Sequence, residues 1–348
     1  MNNFFNKVLF VGPDIKGKGG ISSVLCSYRK MLTPFHYISS NSRYGTIVGI
    51  YMLIKLMICL PYYVFFKGIK IVHIHGASGK SFVRKALIVN WCKMLGLRVV
   101  FHLHGGAFDK YVNQCGVAKI KKTFDRCDEL VALTRGWEKY LECNFGKKVY
   151  VINNPIEKAN NIKRDNDGAI DALFLGLICE NKGIYDLLNV VAKNKTYLDG
   201  KFILHIGGNG EVDKLNHFIK FHEIGNIVKY EGWVGGEKKI KLLQNCNLYI
   251  LPSYIEGLPI SILEAMSYSM AVISTNIGGI PEIVENGANG IVHEPGDKEA
   301  IYNAIKLFID NPQLIKEYGI EGLKKVESYY PDVVKTQLEN LYNQLLNK

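Results

Sequence analysis

Residues 248–275, "LYILPSYIEGLPISILEAMSYSMAVIST", carry the reading on which the fold turns. Leu248–Leu251 is an unbroken apolar run, closed by Pro252 and a turn through Glu256 and Gly257. Gly257-Leu258-Pro259 leads into a helix bearing Glu264, and "AVIST" (271–275) is a second β-rich run. Pro259 suits the first helical turn, where its missing N–H costs nothing. Continuous Val/Ile/Leu runs, each followed by a helix, indicate parallel strands covered on both faces.

The same alternation extends outward over most of the 348 residues. "KVLFVG", "IKIVHIHG", "RVVFHLHG", "ELVALT" and "KVYVINN" read as strands in the first half. "DALFLG", "KFILHIGG", "IVKYEGW", "LYILPS" and "AVIST" do so in the second. Helical patterns lie between them, for example Lys80–Leu95 and Ile184–Lys193. The polar stretch "EKANNIKRDNDG" (157–168) interrupts the alternation and reads as a linker. The length fits two domains of roughly 150–200 residues. We therefore expect an α/β chain of two Rossmann-like, doubly wound domains, 1–163 and 164–330, with a C-terminal helix at about 331–348 packing back on the first. Ligands in such sheets bind beyond the carboxyl ends of the strands. That directs attention to Gly17–Ser22, His75–Ser78, His104–Phe108, Gly176–Gly183, Gly207–Glu211 and Ser253–Pro259.

The first of these lies in "VGPDIKGKGG" (11–20). From Gly12 it runs Gly-x-x-x-x-Gly-Lys, then offers Gly19 where a P-loop needs the Mg²⁺-binding Ser or Thr. The dinucleotide pattern Gly-x-Gly-x-x-Gly fails too, because position 22 is Ser. What remains is a glycine-rich turn into a helix starting near Gly20. It suits an anion at a helix N-terminus, or an ordinary strand-to-helix turn.

Charge is unevenly spread. Residues 1–160 hold 24 basic and 8 acidic side chains, a net of +16, whereas 161–348 hold 19 and 24, a net of −5. A basic half points to a nucleic acid or an anionic membrane surface, and no nucleic-acid motif accompanies it. Membrane is the reading retained, with no nucleic-acid partner. The eight cysteines form no C-x-x-C pair and sit in apolar settings such as "WCKML", so reduced thiols in a cytoplasmic protein are expected. The N-terminus enters a strand with no signal peptide. In Ile47–Phe66, Lys55 divides the run into apolar stretches of 8 and 11 residues, and Pro61 should break or kink a helix. A transmembrane span is rejected, since about 18 uninterrupted apolar residues are wanted. Apolar all round, the segment is buried or pressed against lipid, and the buried helix is preferred.

Residues 251–292, with Glu-Gly-x-Pro, the Glu-x7-Glu spacing of Glu256 and Glu264, "GGIPEIV" and "NGANG", resemble the nucleotide-sugar-binding core of the family-four retaining glycosyltransferases. This is the GT-B group that contains sucrose-phosphate synthases and many bacterial polysaccharide enzymes. "FLGLICENKGIYDLL" (174–188), "VINNPI" (151–156), "HIGGNGE" (205–211), "YEGWV" (230–234) and "GKGGIS" (17–22) fall in the family's order. The resemblance implies a GT-B fold, two facing Rossmann-like domains with the donor cleft between them. It settles the reading of the glycine loop as a backbone nest for a sugar nucleotide.

By the same resemblance, Glu256, His104 and Lys182 are the catalytic candidates. Glu256 would bind the transferred sugar and stabilise positive charge at its anomeric carbon, and His104, in "HLHGGAF", would contact the sugar. Lys182 would neutralise the diphosphate leaving group. Glu264 would accept hydrogen bonds from the ribose. Backbone at Gly19, Gly20, Gly207, Asn209, Gly257, Leu258, Pro259 and Ile260 would complete the donor site, with Trp233 and Val234 reading the base. His73 and His102 alternate into the strand interior and read as core histidines. One departure stands out: where the family commonly carries a second phosphate cation, this chain has Leu177.

"DND" (165–167) looks like a metal-binding Asp-x-Asp, yet no apolar strand precedes it, so it is read as solvated linker. No metal or cofactor is required, because amides, Lys182 and a helix dipole can hold the diphosphate. "NKT" (194–196) is a glycosylation sequon only by letters. The expected activity is retaining transfer of a hexose or N-acetylhexosamine from a UDP-sugar to a lipid-diphosphate-linked saccharide used for bacterial surface polysaccharide. The chain would work as a peripheral protein at the inner face of the cell membrane. His75, Ser78, Arg84, Lys85, Lys119, Lys121 and Lys122 are the acceptor and membrane candidates. A sugar-nucleotide epimerase of the same architecture and a non-catalytic nucleotide-sugar-binding subunit remain as alternatives.

Overall fold

The computed structural model describes residues 4–17, 19–42, 44–160 and 169–348. The expected linker aspartates, Asp165 and Asp167, lie outside the described residues. The chain divides into two compact units: Met1–Pro155 with Tyr329–Lys348, and Ile156–Ser328. The first boundary falls at Pro155, eight residues before the 163 read from the sequence, and the chain returns to unit 1 at Tyr329.

Unit 1 contains strands β1 (Val8–Gly12), β2 (His36–Ser39), β3 (Ile71–Gly76), β4 (Arg98–Leu103), β5 (Glu129–Ala132) and β6 (Val149–Val151). Its helices are α1 (Gly20–Met31), α2 (Thr46–Lys67), α3 (Lys80–Met94), α4 (Phe108–Cys115), α5 (Val117–Phe124) and α6 (Arg135–Phe145). The strands form one sheet in the order β2-β1-β3-β4-β5-β6, every pairing parallel. Both faces must then be covered, and β1, β3 and β5 are buried along their whole length, as their continuous apolar runs require.

Unit 2 contains β7 (Ile170–Leu175), α7 (Ile184–Lys193), α8 (Lys195–Leu198), β8 (Phe202–Gly207), α9 (Val212–Phe221), β9 (Val228–Gly232) and α10 (Gly236–Asn245). It continues with β10 (Leu248–Leu251), α11 (Ile260–Ser267), β11 (Ala271–Thr275), α12 (Ile280–Ile283), β12 (Gly290–His293), α13 (Lys298–Asp310) and α14 (Gln313–Lys325). The order β12-β11-β10-β7-β8-β9 is again all parallel. The chain starts in the middle, winds out through β8 and β9, and restarts beside β7 at β10. This is the doubly wound pattern, and its crevice opens where the winding reverses.

The last helix, α15 (Pro331–Asn347), belongs to unit 1. Its Tyr342 is fully buried, packs edge-on against Phe5, and shares a 2.6 Å hydrogen bond with His73 Nδ1.

The structure narrows one reading of 47–66 and corrects another. Pro61 does not break the helix: α2 runs unbroken for 22 residues. Proline removes the N–H that would bond the Met57 carbonyl, and Trp91 Nε1 of α3 donates to that carbonyl at 3.0 Å. Nor is α2 a buried helix. Leu56 and Leu60 are buried, while Ile47, Ile54, Ile58, Phe65 and Phe66 are exposed.

Candidate functional site

At the reversal point of unit 2, β7 and β10 lie side by side, and the loops that follow them meet. Tyr254 N–H donates to the Asn181 carbonyl at 2.9 Å. Gly183, with φ +66°, brings its backbone so close to Pro252 that a Cβ would stand 1.9 Å from that carbonyl oxygen, so only glycine fits. Lys182, held in the short turn before Gly183, places Nζ 2.5 Å from Glu256 Oε1. Ser253 Oγ donates to the same oxygen at 2.8 Å. The Glu256 side chain is only 9% exposed, so its carboxylate needs these partners.

Two further loops close on this pair. Behind β8, Ile178 N–H donates to the Asn209 carbonyl at 2.7 Å, and Val234 packs against Gly207. Behind β11, Gly279 N–H donates to the Gly257 carbonyl at 2.6 Å. Unit 2 thus gathers Lys182, Gly207, Asn209, Val234, Glu256 and Gly257 at the carboxyl ends of its strands. Trp233 is half exposed beside Val234.

Helix α11 starts here, and its first N–H groups lack intrahelical partners. Pro259 occupies the cap position in extended geometry, one residue before the first turn in which the sequence reading put it. Having no N–H, it adds no anion donor, so Leu258 and Ile260 must supply those expected from 258–260. Glu264 sits on the second turn of α11 and holds Lys239 of α10 at 2.6 Å. Lys239 escaped the sequence reading, and Ser253, inside the marked segment Ser253–Pro259, was given no role there. Lys239 is one of three lysines in "GEKKIKLL" (236–243), and nothing local distinguishes it, because its partner lies 25 residues further on. Leu177 is an exposed apolar side chain at the position where the family commonly carries a second phosphate cation, and the Lys239 ammonium on Glu264 is a further cation of unit 2.

Unit 1 holds the other candidates. Gly19 caps α1 and Gly20 opens it, and a Cβ on either would meet nothing within 4 Å. Ser22, at the position where a dinucleotide loop has its last glycine, turns Oγ back onto the Asp14 carbonyl at 2.7 Å. His104 follows β4, and its Nε2 lies 2.8 Å from His75 Nδ1. Behind them His73 Nε2 lies 3.2 Å from His102 Nδ1. Burial lowers all four histidines, with neighbouring imidazoles adding to the effect on His73, His75 and His102. His73 and His104 fall to about 3, and all four rings are neutral near pH 7.

His73, His75 and His102 bring one ligand atom each within 4.8 Å of one another. Both nitrogens of His73 are already engaged, Nδ1 by the Tyr342 hydroxyl and Nε2 by His102 Nδ1, so a cation there would have to displace these bonds. The group therefore reads as a neutral hydrogen-bonded column that buttresses His104.

The acceptor and membrane candidates are corrected in part. His75 is fully buried and cannot face an acceptor. Lys85 is buried at 2% exposure, donates to Ser40 Oγ, and has its pKa pulled down to about 7 by burial and then by Arg84. Lys121 is engaged by Asp125 and by the Phe145 carbonyl, each at 2.8 Å. Arg84 is partly covered, Ser78 is half-buried in the turn before α3, and Lys119 and Lys122 are exposed on α5.

Residues 155–325 match the family model described as glycosyl transferases group 1. A glycosyltransferase of Methanocaldococcus jannaschii is 24% identical over 282 residues, covering 80% of this chain and 76% of that one. The capsular polysaccharide biosynthesis glycosyltransferase CapM of Staphylococcus aureus is 26% identical over 211 residues, 58% of this chain and 53% of its own length. Among solved structures, the sucrose-phosphate synthase of Thermosynechococcus elongatus superposes with a TM-score of 0.80 at 16% identity, covering 98% of this chain and 99% of that one. HepE of Anabaena, solved in complex with UDP, gives 0.76 at 16% identity, covering 98% and 100%. The second unit is a group 1 glycosyl transferase domain, and the chain is a glycosyltransferase of the GT-B fold.

Proposed function

We propose that the chain transfers a hexose or N-acetylhexosamine, with retention of configuration, from a UDP-sugar to a lipid-diphosphate-linked saccharide at the cytoplasmic face of a bacterial membrane. The observation that carries this reading is the Lys182–Glu256 pair at the reversal point of unit 2. The donor diphosphate competes with Glu256 for the Lys182 ammonium. Binding frees the carboxylate to meet the sugar and leaves the ammonium on the group whose negative charge grows in the transition state. Lys239, the N–H groups of Leu258 and Ile260, and the start of α11 add positive potential without a metal ion. Glu264 meets the ribose, and His104, bonded to His75, is the unit 1 candidate for contact with the sugar. HepE of Anabaena has been solved with UDP and with UDP-glucose, and the neighbour WaaB is a lipopolysaccharide outer core galactosyltransferase. These support a nucleotide-sugar donor and a surface-polysaccharide acceptor.

A thermal-shift panel of UDP-, GDP- and ADP-sugars tests the donor. Ligand at 100 times its Kd stabilises by about 2.7 kcal/mol. The UDP-sugars should raise the melting temperature most, and a flat panel would overturn the donor assignment. An NMR assignment of the anomeric configuration of the product tests retention, and an inverted product would overturn it.

A further inference from the structure

We propose that α2 and α3 of unit 1 form a surface that docks in the plane of an anionic phospholipid bilayer, with α2 lying in the interface and not crossing it. This deepens the membrane part of the reading above, and its test needs no sugar chemistry.

The exposed face of α2 is apolar. Ile47, Ile54, Ile58, Phe65 and Phe66 are each more than half exposed, Ile47 reaching 84% and Phe66 77%. At 1.5 Å per residue, Ile47 to Phe66 spans about 28 Å. On α3, which Trp91 ties to α2, Val83, Leu87 and Met94 are exposed as well. An apolar surface of this extent on a folded unit marks a partner or a membrane. Tyr51 and Tyr62, also exposed on α2, have the amphipathic rings that favour a headgroup region.

Charge selects the partner. Residues 15–108 contain 13 Lys and Arg and not one Asp or Glu, over 94 residues. Lys55 and Lys67 stand on α2, and Lys80 and Arg84 on α3. A second copy of the chain would bring the same positive charge to the contact and be repelled, whereas an anionic bilayer accepts both the apolar face and the charge. The opposite face of α2 argues against a span. Leu56 and Leu60 are fully buried in unit 1, and the Met57 carbonyl that Pro61 leaves free is satisfied by Trp91. Crossing the bilayer would strip both and set Lys55 in mid-membrane.

The test uses the full chain and sedimenting vesicles of phosphatidylglycerol with phosphatidylethanolamine, against vesicles of phosphatidylcholine alone. The combined Ile54→Gln, Ile58→Gln, Phe65→Gln variant should weaken partition to the anionic vesicles by at least about a hundredfold. Its thermal unfolding and its response to a UDP-sugar should stay as in the wild type. The Lys119→Glu, Lys121→Glu, Lys122→Glu variant should keep most of the binding. In the wild type, hydrogen exchange along α2 should slow when anionic vesicles are added while α5 is unchanged, which tests the surface without any variant. Undiminished binding of the glutamine variant, or unaltered exchange in α2, would overturn the proposal. So would equal binding to phosphatidylcholine, resistance to alkaline carbonate extraction, or self-association that the glutamine changes abolish without affecting vesicle binding. If UDP-sugars give no thermal shift while the vesicle results hold, the donor reading fails and this one stands.

Discussion

Lys182 Nζ and Glu256 Oε1 lie 2.5 Å apart, the carboxylate almost closed to solvent and the ammonium about a quarter open to it. Each compensates the other in the free protein, and removing one partner leaves the other charge uncompensated. Lys182→Ala should therefore cripple transfer and weaken UDP binding by roughly ten- to a hundredfold, the range of a charge-assisted contact. Calorimetry showing unchanged UDP affinity would make Lys182 a structural partner of Glu256 only. Glu256→Gln should lower turnover without weakening UDP binding, because it removes the group that competes with the diphosphate for Lys182.

Glu264 and Lys239 make the second pair, at 2.6 Å. Glu264→Gln should weaken UDP itself through the ribose. Lys239→Ala should weaken it too, by loss of a phosphate cation or of the group that orients Glu264. Because the two side chains touch, the double variant should lose less than the sum of the single losses. Additive losses in titration calorimetry would show that the pair does not act as a unit.

Excess EDTA should leave transfer largely intact, since amides and lysines hold the diphosphate in the proposed mechanism. Asp165→Ala with Asp167→Ala should do little. Activity lost in EDTA and restored by Mn²⁺ would show that a metal ion takes part.

The histidine column predicts acid lability in unit 1. His73, His75, His102 and His104 all have folded pKa values below 6.5. Below that pH the unfolded chain takes up protons that the folded unit refuses. Stability is complete above about 6.5 and falls as pH drops toward about 3, at about 1.4 kcal/mol per pH unit for each histidine. In unit 2, His205 bonds Asp171 and Glu231, and these raise its pKa. Its contribution is present below about 6.5 and lost as pH rises through the raised value, the opposite sign. Urea titrations between pH 7.5 and 5 should show unit 1 weakening steadily on the acid side, and a flat profile would mean that the column is protonated in the folded state.

Most of the fold was legible because unbroken apolar runs and glycine turns are local signals. Ten strands fall where the sequence puts them, and α7 has the expected bounds. The two strands overlooked, β2 and β12, are four residues each and owe their pairing to β1 and β11. Lys85 was misjudged although a signal existed: Phe82, Lys85, Ile88, Val89 and Cys92 form one buried stripe of α3, and Lys85 falls on it. Helix α2 gave no such warning, because its packed and exposed faces are both apolar. Glu256 and Lys182 stand in short motifs that the sequence displays, and the structure brings their side chains together, whereas Lys239 owes its place to tertiary packing alone.

The return of the chain at Tyr329 governs the order in which the molecule can be finished during synthesis. Unit 2 is one continuous segment, complete once residue 328 has emerged, and its sheet needs no strand from elsewhere. Unit 1 begins first, yet it lacks Leu338 and Tyr342 of its core until α15 has been made. Until then His73 lacks the Tyr342 hydroxyl and Phe5 the Tyr342 ring, so the unit that begins first cannot complete its core before the unit that begins second.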